Sequence, residues 1–425
     1  MQDLQVWRQD KYRKPLILKG ARQVGKTYIL KYFAEQLYEN HVYINFEENI
    51  EISDFFDRDI RPQHILNQLA LHFGKAITPE KTLIIFDEIQ ACPNALNSLK
   101  YFHEKANQYH VVAAGSLLGV ALNNTKGFPV GQVDFLEMKP MSFFEFLVAN
   151  EKEQLVEFLK TTNQGEPVAL PIHHQLIDWL KIYFFVGGMP EAVKIYVETN
   201  DYEKVRKIQK TILNAYVMDF SKHADKHQVM KIISVWESIS SQLAKENKKF
   251  KYSTVKVGAN ARGYEEAIRW LTSAGLIYMV HQVSAPRLPL SGYGNYKAFK
   301  VYMLDVGLLG AVSRLMPKVI VEGNHLFTEF KGALTENYVA QELMAAGNEK
   351  LFYWTSGNEA EVDFLLEKDM GVFPLEVKAG ISTKTKSLSV YDKKYNPKKI
   401  LRTNLLNFKQ DNKTYNYPLY AVELI

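Results

Sequence analysis

The sequence predicts an α/β protein: a parallel sheet with helices on both faces, then a helical and winged-helix region, then a carboxyl-terminal α/β domain. Three observations carry that expectation. The apolar run Pro15-Leu16-Ile17-Leu18 leads into GARQVGKT (residues 20–27) and then into Tyr28-Ile29-Leu30-Lys31-Tyr32-Phe33-Ala34, the order strand, glycine-rich loop, helix. Further apolar segments at 41–46, 82–86 and 110–114 alternate with helical stretches, the signature of parallel strands joined by crossover helices. Near the other end, a helix from Gly332 to Leu343 precedes three short segments of strand character at 351–354, 361–366 and 372–378.

Length and composition bound the answer. A chain of 425 residues exceeds one ordinary domain, and about three are expected: residues 1–150, 151–310 and 311–425. Apolar content of 47% and charged content of 23% suit a soluble globular protein, and the formal charge of +5 is small for this size. A single cysteine, Cys92, excludes an internal disulfide framework and points to a reducing cytoplasm. The first fifteen residues are charged throughout, so no secretory signal is expected. Nowhere do eighteen apolar residues run together, so no membrane partner is expected.

The amino-terminal loop fits G-x-x-x-x-G-K-[ST], the P-loop, and the sheet around it is that of a P-loop NTPase. Backbone N–H groups of Gly20, Ala21, Arg22, Gln23, Val24 and Gly25 are expected to converge, with the helix start, on phosphate oxygens. Lys26 brings its charge to the β- and γ-phosphates of ATP, and the Thr27 hydroxyl ligates Mg²⁺. About sixty residues later, the strand 82–86 ends in Asp87-Glu88: the aspartate to hold Mg²⁺, the glutamate to orient or deprotonate the attacking water. The next strand ends in Gly115-Ser116, where a hydroxyl either senses the γ-phosphate or serves an ordinary turn. Arg22 has two readings, a phosphate contact or a pair with a nearby acid.

The blocks KPLILKGARQVGKT, LIIFDEIQ, AAGSLLG and PVGQVDFLEMKPMSFFEFL resemble, in order, the AAA-like bacterial and archaeal ATPases that carry an uncharacterised carboxyl-terminal region. The resemblance implies ATP, with Lys26, Thr27, Asp87 and Glu88 in the roles above and Ser116 at the sensor position. Ring-forming relatives draw an arginine from a neighbouring subunit. No motif marks one here, and oligomeric state stays open.

In the middle region, Trp179, Tyr183, Phe184 and Phe185 precede a Gly187-Gly188-Met189-Pro190 turn, and His173, His174, His223 and His227 read as surface or packing residues. A helix from Val229 to Ala244, a short one from Ser253, a third from Tyr264 to Ala274 and two strands (LIYMVHQV, YKAFKVYMLD) make a winged helix-turn-helix. Residues 245–256 hold five lysines and one glutamate, which suits DNA phosphates, although Glu265 and Glu266 stand on the third helix.

In the last region, Leu334, Tyr338 and Leu343 line one side of a helix, with Glu336 off that stripe. Asp363 leads one strand, and Glu376 and Lys378, two apart, share a face of the next. Two acids and a lysine on adjacent strands, with a helix carboxylate nearby, are the set that metal-assisted phosphodiester hydrolysis uses. The arrangement resembles the PD-(D/E)XK nuclease core. That resemblance implies a second Mg²⁺ or Mn²⁺ held by Glu336, Asp363 and Glu376, with Lys378 catalytic, though the aspartate stands in EVD rather than after a proline. From Lys378 to Lys413 ten Lys or Arg face two Asp, with Tyr391, Tyr395 and Tyr415 interleaved, a composition for nucleic-acid backbone and base stacking. The alternatives are a nuclease-like domain that is catalytically inert in an ATP-controlled DNA- or protein-binding switch, and an ATPase that regulates a protein partner without touching nucleic acid.

Overall fold

A computed structural model describes residues 1–116, 129, 131–223, 226–245, 248–316, 331–357, 359–381 and 386–425. Residues 117–119 of the AAGSLLG block, Glu246, Asn247, Asn358, Lys384 and the side chain of His223 lie outside them. The chain forms two compact units, residues 1–139 with 273–275, and residues 140–272 with 276–425.

In the first unit, β1 (Leu16–Lys19), β2 (Asn40–Asn45), β3 (Thr82–Asp87), β4 (His110–Ala114) and β5 (Asp134–Glu137) form a sheet in the order β2-β3-β4-β1-β5, parallel at every pairing. Successive side chains of β1, β3 and β4 enter different cores. Ile17, Ile84, Phe86, Val111 and Ala113 pack with α3 (Ser53–Arg58), α4 (Pro62–Phe73) and α5 (Pro93–Lys105). Leu16, Leu18, Leu83, Ile85, Val112 and Ala114 pack with α1 (Gln2–Gln9) and α2 (Lys26–Leu37). Period-two alternation that is apolar on both faces is what a doubly covered parallel sheet requires. Because β1 and β3 flank β4, the segments leaving their carboxyl ends, Gly20–Thr27, Asp87-Glu88 and Gly115-Ser116, emerge together.

The second unit is built on one eight-stranded mixed sheet. Its strands are β6 (Ile277–Val283), β7 (Gly294–Met303), β8 (Leu351–Thr355), β9 (Glu361–Lys368), β10 (Gly371–Val377), β11 (Ile400–Asn404), β12 (Lys409–Asp411) and β13 (Thr414–Pro418). They lie in the order β12-β13-β11-β10-β9-β8-β6-β7. The three helices expected before β6 are present at Lys226–Leu243, Tyr252–Val255 and Ala261–Ser273. The two strands read as a wing are instead one edge of this sheet: β6 pairs antiparallel with β7 and parallel with β8. Residues on either side of position 310, assigned to different domains from sequence, therefore share one sheet. The reason is the uninterrupted buried run Ala298–Met303, which a solvated wing would leave exposed.

The helix Lys331–Ala345 differs from the one-sided helix its sequence suggests. Every residue from Ala333 to Leu343 is buried, Glu336 included, because the helix packs on β7 and β10 and against residues 306–312 and 419–424. Its polar side chains are matched inside. Asn337 accepts from the Met303 amide (2.7 Å) and donates to its carbonyl (3.1 Å). Gln341 accepts from the Val306 amide (2.9 Å), and Glu342 from the Phe143 amide (3.1 Å). Burial pushes the Glu342 carboxyl well above the usual range, and nearby Glu423 adds to it. Asn337→Ala leaves two buried backbone groups of Met303 without partners and is expected to cost about 2–4 kcal/mol in urea unfolding.

Candidate nucleotide site and the carboxyl-terminal charge cluster

The loop between β1 and α2 has the geometry of an anion cradle. Gly20 takes φ +145°, and a Cβ there would stand 2.1 Å from the Met138 carbonyl oxygen, so only glycine fits. Gln23 and Gly25 also have positive φ, 64° and 94°. Gly25 caps α2, and among the described residues no side-chain cap hydrogen bond is made to the helix's first N–H groups, the arrangement an anion at a helix start requires. The Lys26 ammonium turns back to the Gly20 and Ala21 carbonyls at 3.0 and 2.8 Å. Burial draws its pKa down to about 8, against the opposing pull of Glu88 and Asp87.

Thr27 follows at the helix start, and its hydroxyl donates to Asp87 Oδ2 at 2.6 Å. Tyr43, from β2, donates to the same oxygen at 2.9 Å. A hydroxyl and a carboxylate oxygen meeting at the mouth of a phosphate loop are two hard ligands of the kind Mg²⁺ takes, so the residues fit the ion. Glu88 stands in the left-handed region (φ 48°, ψ 45°), and Ser116 donates to its Oε2 at 3.2 Å. Arg22 makes contacts of the second kind here: Nε donates to Ser116 Oγ at 3.1 Å, and the guanidinium stands 3.6 Å from Glu47. The structure thus gathers Lys26, Thr27, Asp87, Glu88 and Ser116 at one end of the sheet. Tyr43 and Gln90 belong to the group and were missed; Gln90 alone had a signal, two residues after Glu88.

The fold is that of a P-loop NTPase. Residues 12–147 match the family model described as AAA domain, AAA_14. Residues 177–319 and 331–422 match two models each described as a domain of unknown function, DUF8612 and DUF4143. Comparison with curated proteins returns no match. Among solved structures, the chain is similar to the Walker-type ATPase PABY2304 of Pyrococcus abyssi at 13% identity and a TM-score of 0.45, over 73% of this chain and 94% of that one. It is also similar to the STAND protein PH0952 of Pyrococcus horikoshii, which has a tetratricopeptide repeat sensor (13%, TM-score 0.28, 81% and 45% covered). A third is Cdc6p of Pyrobaculum aerophilum (10%, 0.24, 75% and 92%).

In the second unit, Glu336, Asp363, Glu376 and Lys378 do come together, but a lysine from another element stands among them. Lys300, on β7 and fully buried, places its ammonium 2.5 Å from Glu361, 3.8 Å from Asp363 and 3.9 Å from Glu336. Lys248 closes on Glu336 from the other side, and the Tyr302 hydroxyl donates to it at 2.9 Å. Lys378 pairs with Glu376 at 2.6 Å, and the Val377 amide donates to Asp363 Oδ2 at 2.8 Å. Burial would raise the Glu336 carboxyl, yet Lys300 and Lys248 hold it below the usual range. Asp363, beside Glu336 and Glu376, is pushed well above it, by burial first and repulsion second. Burial disfavours the charged form of Lys300, but Glu336, Glu361 and Asp363 outweigh it and keep it protonated.

These residues do not fit the second metal ion that the nuclease resemblance implies, because the protein's own ammonium group lies where the carboxylates converge. Among the described residues no group of three or more His, Cys, Asp and Glu is arranged to hold a metal ion. Lys248, Lys300 and Glu361 were missed from sequence, although a lone lysine inside the apolar run AFKVYML was the available sign. The stacking expectation also changes, since Tyr391 is in the core against Trp354 (ring centroids 5.2 Å).

The lowered pKa of Lys26 has a stability consequence. Folded, it holds its proton with a pKa of about 8 against an ordinary 10.5, so between these values the unfolded chain binds more protons and stability rises with pH. Below pH 8 the full cost of burying the charge is present. Lys26→Met is expected to be more stable than wild type by about 1–3 kcal/mol at pH 7, with the gain gone above pH 10.5, measured by urea unfolding across that range.

Proposed function

We propose that the protein hydrolyses ATP with Mg²⁺ at the amino-terminal site and uses the nucleotide state to control what its second unit binds. The observation that carries this is the meeting of an uncapped helix start, a buried lysine and the Thr27–Asp87 pair at the carboxyl ends of neighbouring strands. In this reading the loop amides of residues 20–25 and Lys26 bind the phosphates, and Lys26 leaves the carbonyls of Gly20 and Ala21 to do so. Mg²⁺, when bound, neutralises charge on the β- and γ-phosphates. Thr27 and Asp87 hold it, and Glu88 takes a proton from the attacking water.

For the second unit, an inert nuclease-like fold is favoured over a cutting one by the ammonium of Lys300 among the carboxylates. DNA is the proposed partner. Lys386, Lys393, Lys394, Lys398 and Lys399 are exposed and, among the described residues, make no ion pair. Exposed cations on one stretch of chain suit phosphate contacts without base readout.

Three outcomes are expected. Lys26→Ala abolishes heat on ATP titration, whereas Glu88→Gln keeps binding and loses turnover by about 10²–10⁴-fold. Plasmid DNA incubated with Mg²⁺ or Mn²⁺, with or without ATP, stays intact; cleavage that Asp363→Ala abolishes overturns the inert reading. DNA binding, read by anisotropy, weakens with salt and is lost when Lys393, Lys394, Lys398 and Lys399 become glutamate; binding that salt leaves unchanged overturns the DNA reading.

A further inference from the structure

The backbone at Glu88 is strained, and the side chains around it show what the strain is for. Left-handed φ and ψ at a residue with a Cβ are uncommon and persist only where neighbours impose them. The Glu88 amide is tied to Asp87 Oδ1 at 3.0 Å. On the side chain, both donors fall on one oxygen: the Gln90 amide nitrogen donates to Oε2 at 2.6 Å, and Ser116 at 3.2 Å. Arg22 in turn holds Ser116. Among the described residues Oε1 has no hydrogen-bond partner. The amide orientation of Gln90 follows from the same contact, since turning the group over would set two acceptors against each other. That orientation leaves Gln90 Oε1 buried with no partner among the described residues, so the short contact to Glu88 is what fixes this side chain.

We propose that Gln90 is a positioning residue for ATP hydrolysis: by holding Oε2, it presents the Oε1 oxygen of Glu88 to the attacking water. The proposal rests on the hydrolytic reading above. In the step it serves, the water oxygen bonds to the γ-phosphorus as the bond to the β–γ bridging oxygen breaks. The water proton passes to Glu88 Oε1, and ADP and phosphate leave. Gln90 neither gains nor loses a proton; without it the carboxylate turns about its side-chain bonds and the base is lost from its place.

The test compares wild type, Gln90→Ala and the isosteric Gln90→Glu, which keeps the shape and removes the donor. Each is measured for ATP affinity by calorimetry and for kcat by phosphate release, alone and combined with Glu88→Gln. ATP affinity is expected to stay within about twofold, while kcat falls about 10- to 100-fold in both variants. In the Glu88→Gln background, Gln90→Ala is expected to change the residual rate by less than about twofold, because no base is left to position. Wild-type turnover matched by Gln90→Glu overturns the proposal, and so does an equal loss with and without Glu88. A wild type that binds ATP and releases no phosphate overturns the hydrolytic reading itself, a result separate from either of these.

Discussion

A charge removed from water has to be met, and the meeting of charges organises both units of this protein. Lys300 shows the constraint in full. Its ammonium is shut away from solvent, and carboxylates from the helix Lys331–Ala345 and from β9 close around it. Removing either side would leave the other as an unpaired buried charge, which is far costlier than the pair is favourable. The helix that supplies Glu336 is therefore fixed against β7, and Asn337, Gln341 and Glu342 on it find backbone and tyrosine partners within the same unit.

Lys26 is the opposite case. It too is buried, yet its contacts are two neutral carbonyls of its own loop, and its pKa falls where that of Lys300 rises. Two lysines of similar burial thus have different meanings. The one surrounded by carboxylates has its charge balanced and belongs to the architecture. The one facing carbonyls, beside a helix start that no side chain caps, is short of negative charge and is suited to phosphate. The same contrast separates the two acidic groups, since Asp87 holds a serviceable hydroxyl partner in Thr27, whereas Glu361 and Glu376 of the second unit are already paired with lysine.

Much of the first unit was legible in the sequence because its chemistry is local. Gly20 to Thr27 form one loop and one helix turn, and the spacing of Lys26 and Thr27 fixes where their side chains point. Two adjacent acids alone are more often a solvated turn; what singled out Asp87 and Glu88 was their place at the end of an apolar strand some sixty residues past Lys26. The second unit was legible only in its parts. The helix with Glu336 and the strands with Asp363 and Glu376 form where expected, but a lysine brought in from β7 decides their chemistry. Tyr391 looked available for stacking for the same reason: a linear pattern of tyrosines and lysines does not say which ring turns into the core beside Trp354.

By itself the sequence determined the P-loop sheet, the glycine-rich loop after β1 and the acids that end β3, since hydrophobic period and motif spacing act over a few residues. Tertiary structure alone decided that β6 and β7 extend the carboxyl-terminal sheet, that Lys300 stands among Glu336, Glu361 and Asp363, and that Gln90 and Ser116 share one oxygen of Glu88. Strand pairing and charge neutralisation join residues tens of positions apart, and only the folded chain brings them within reach.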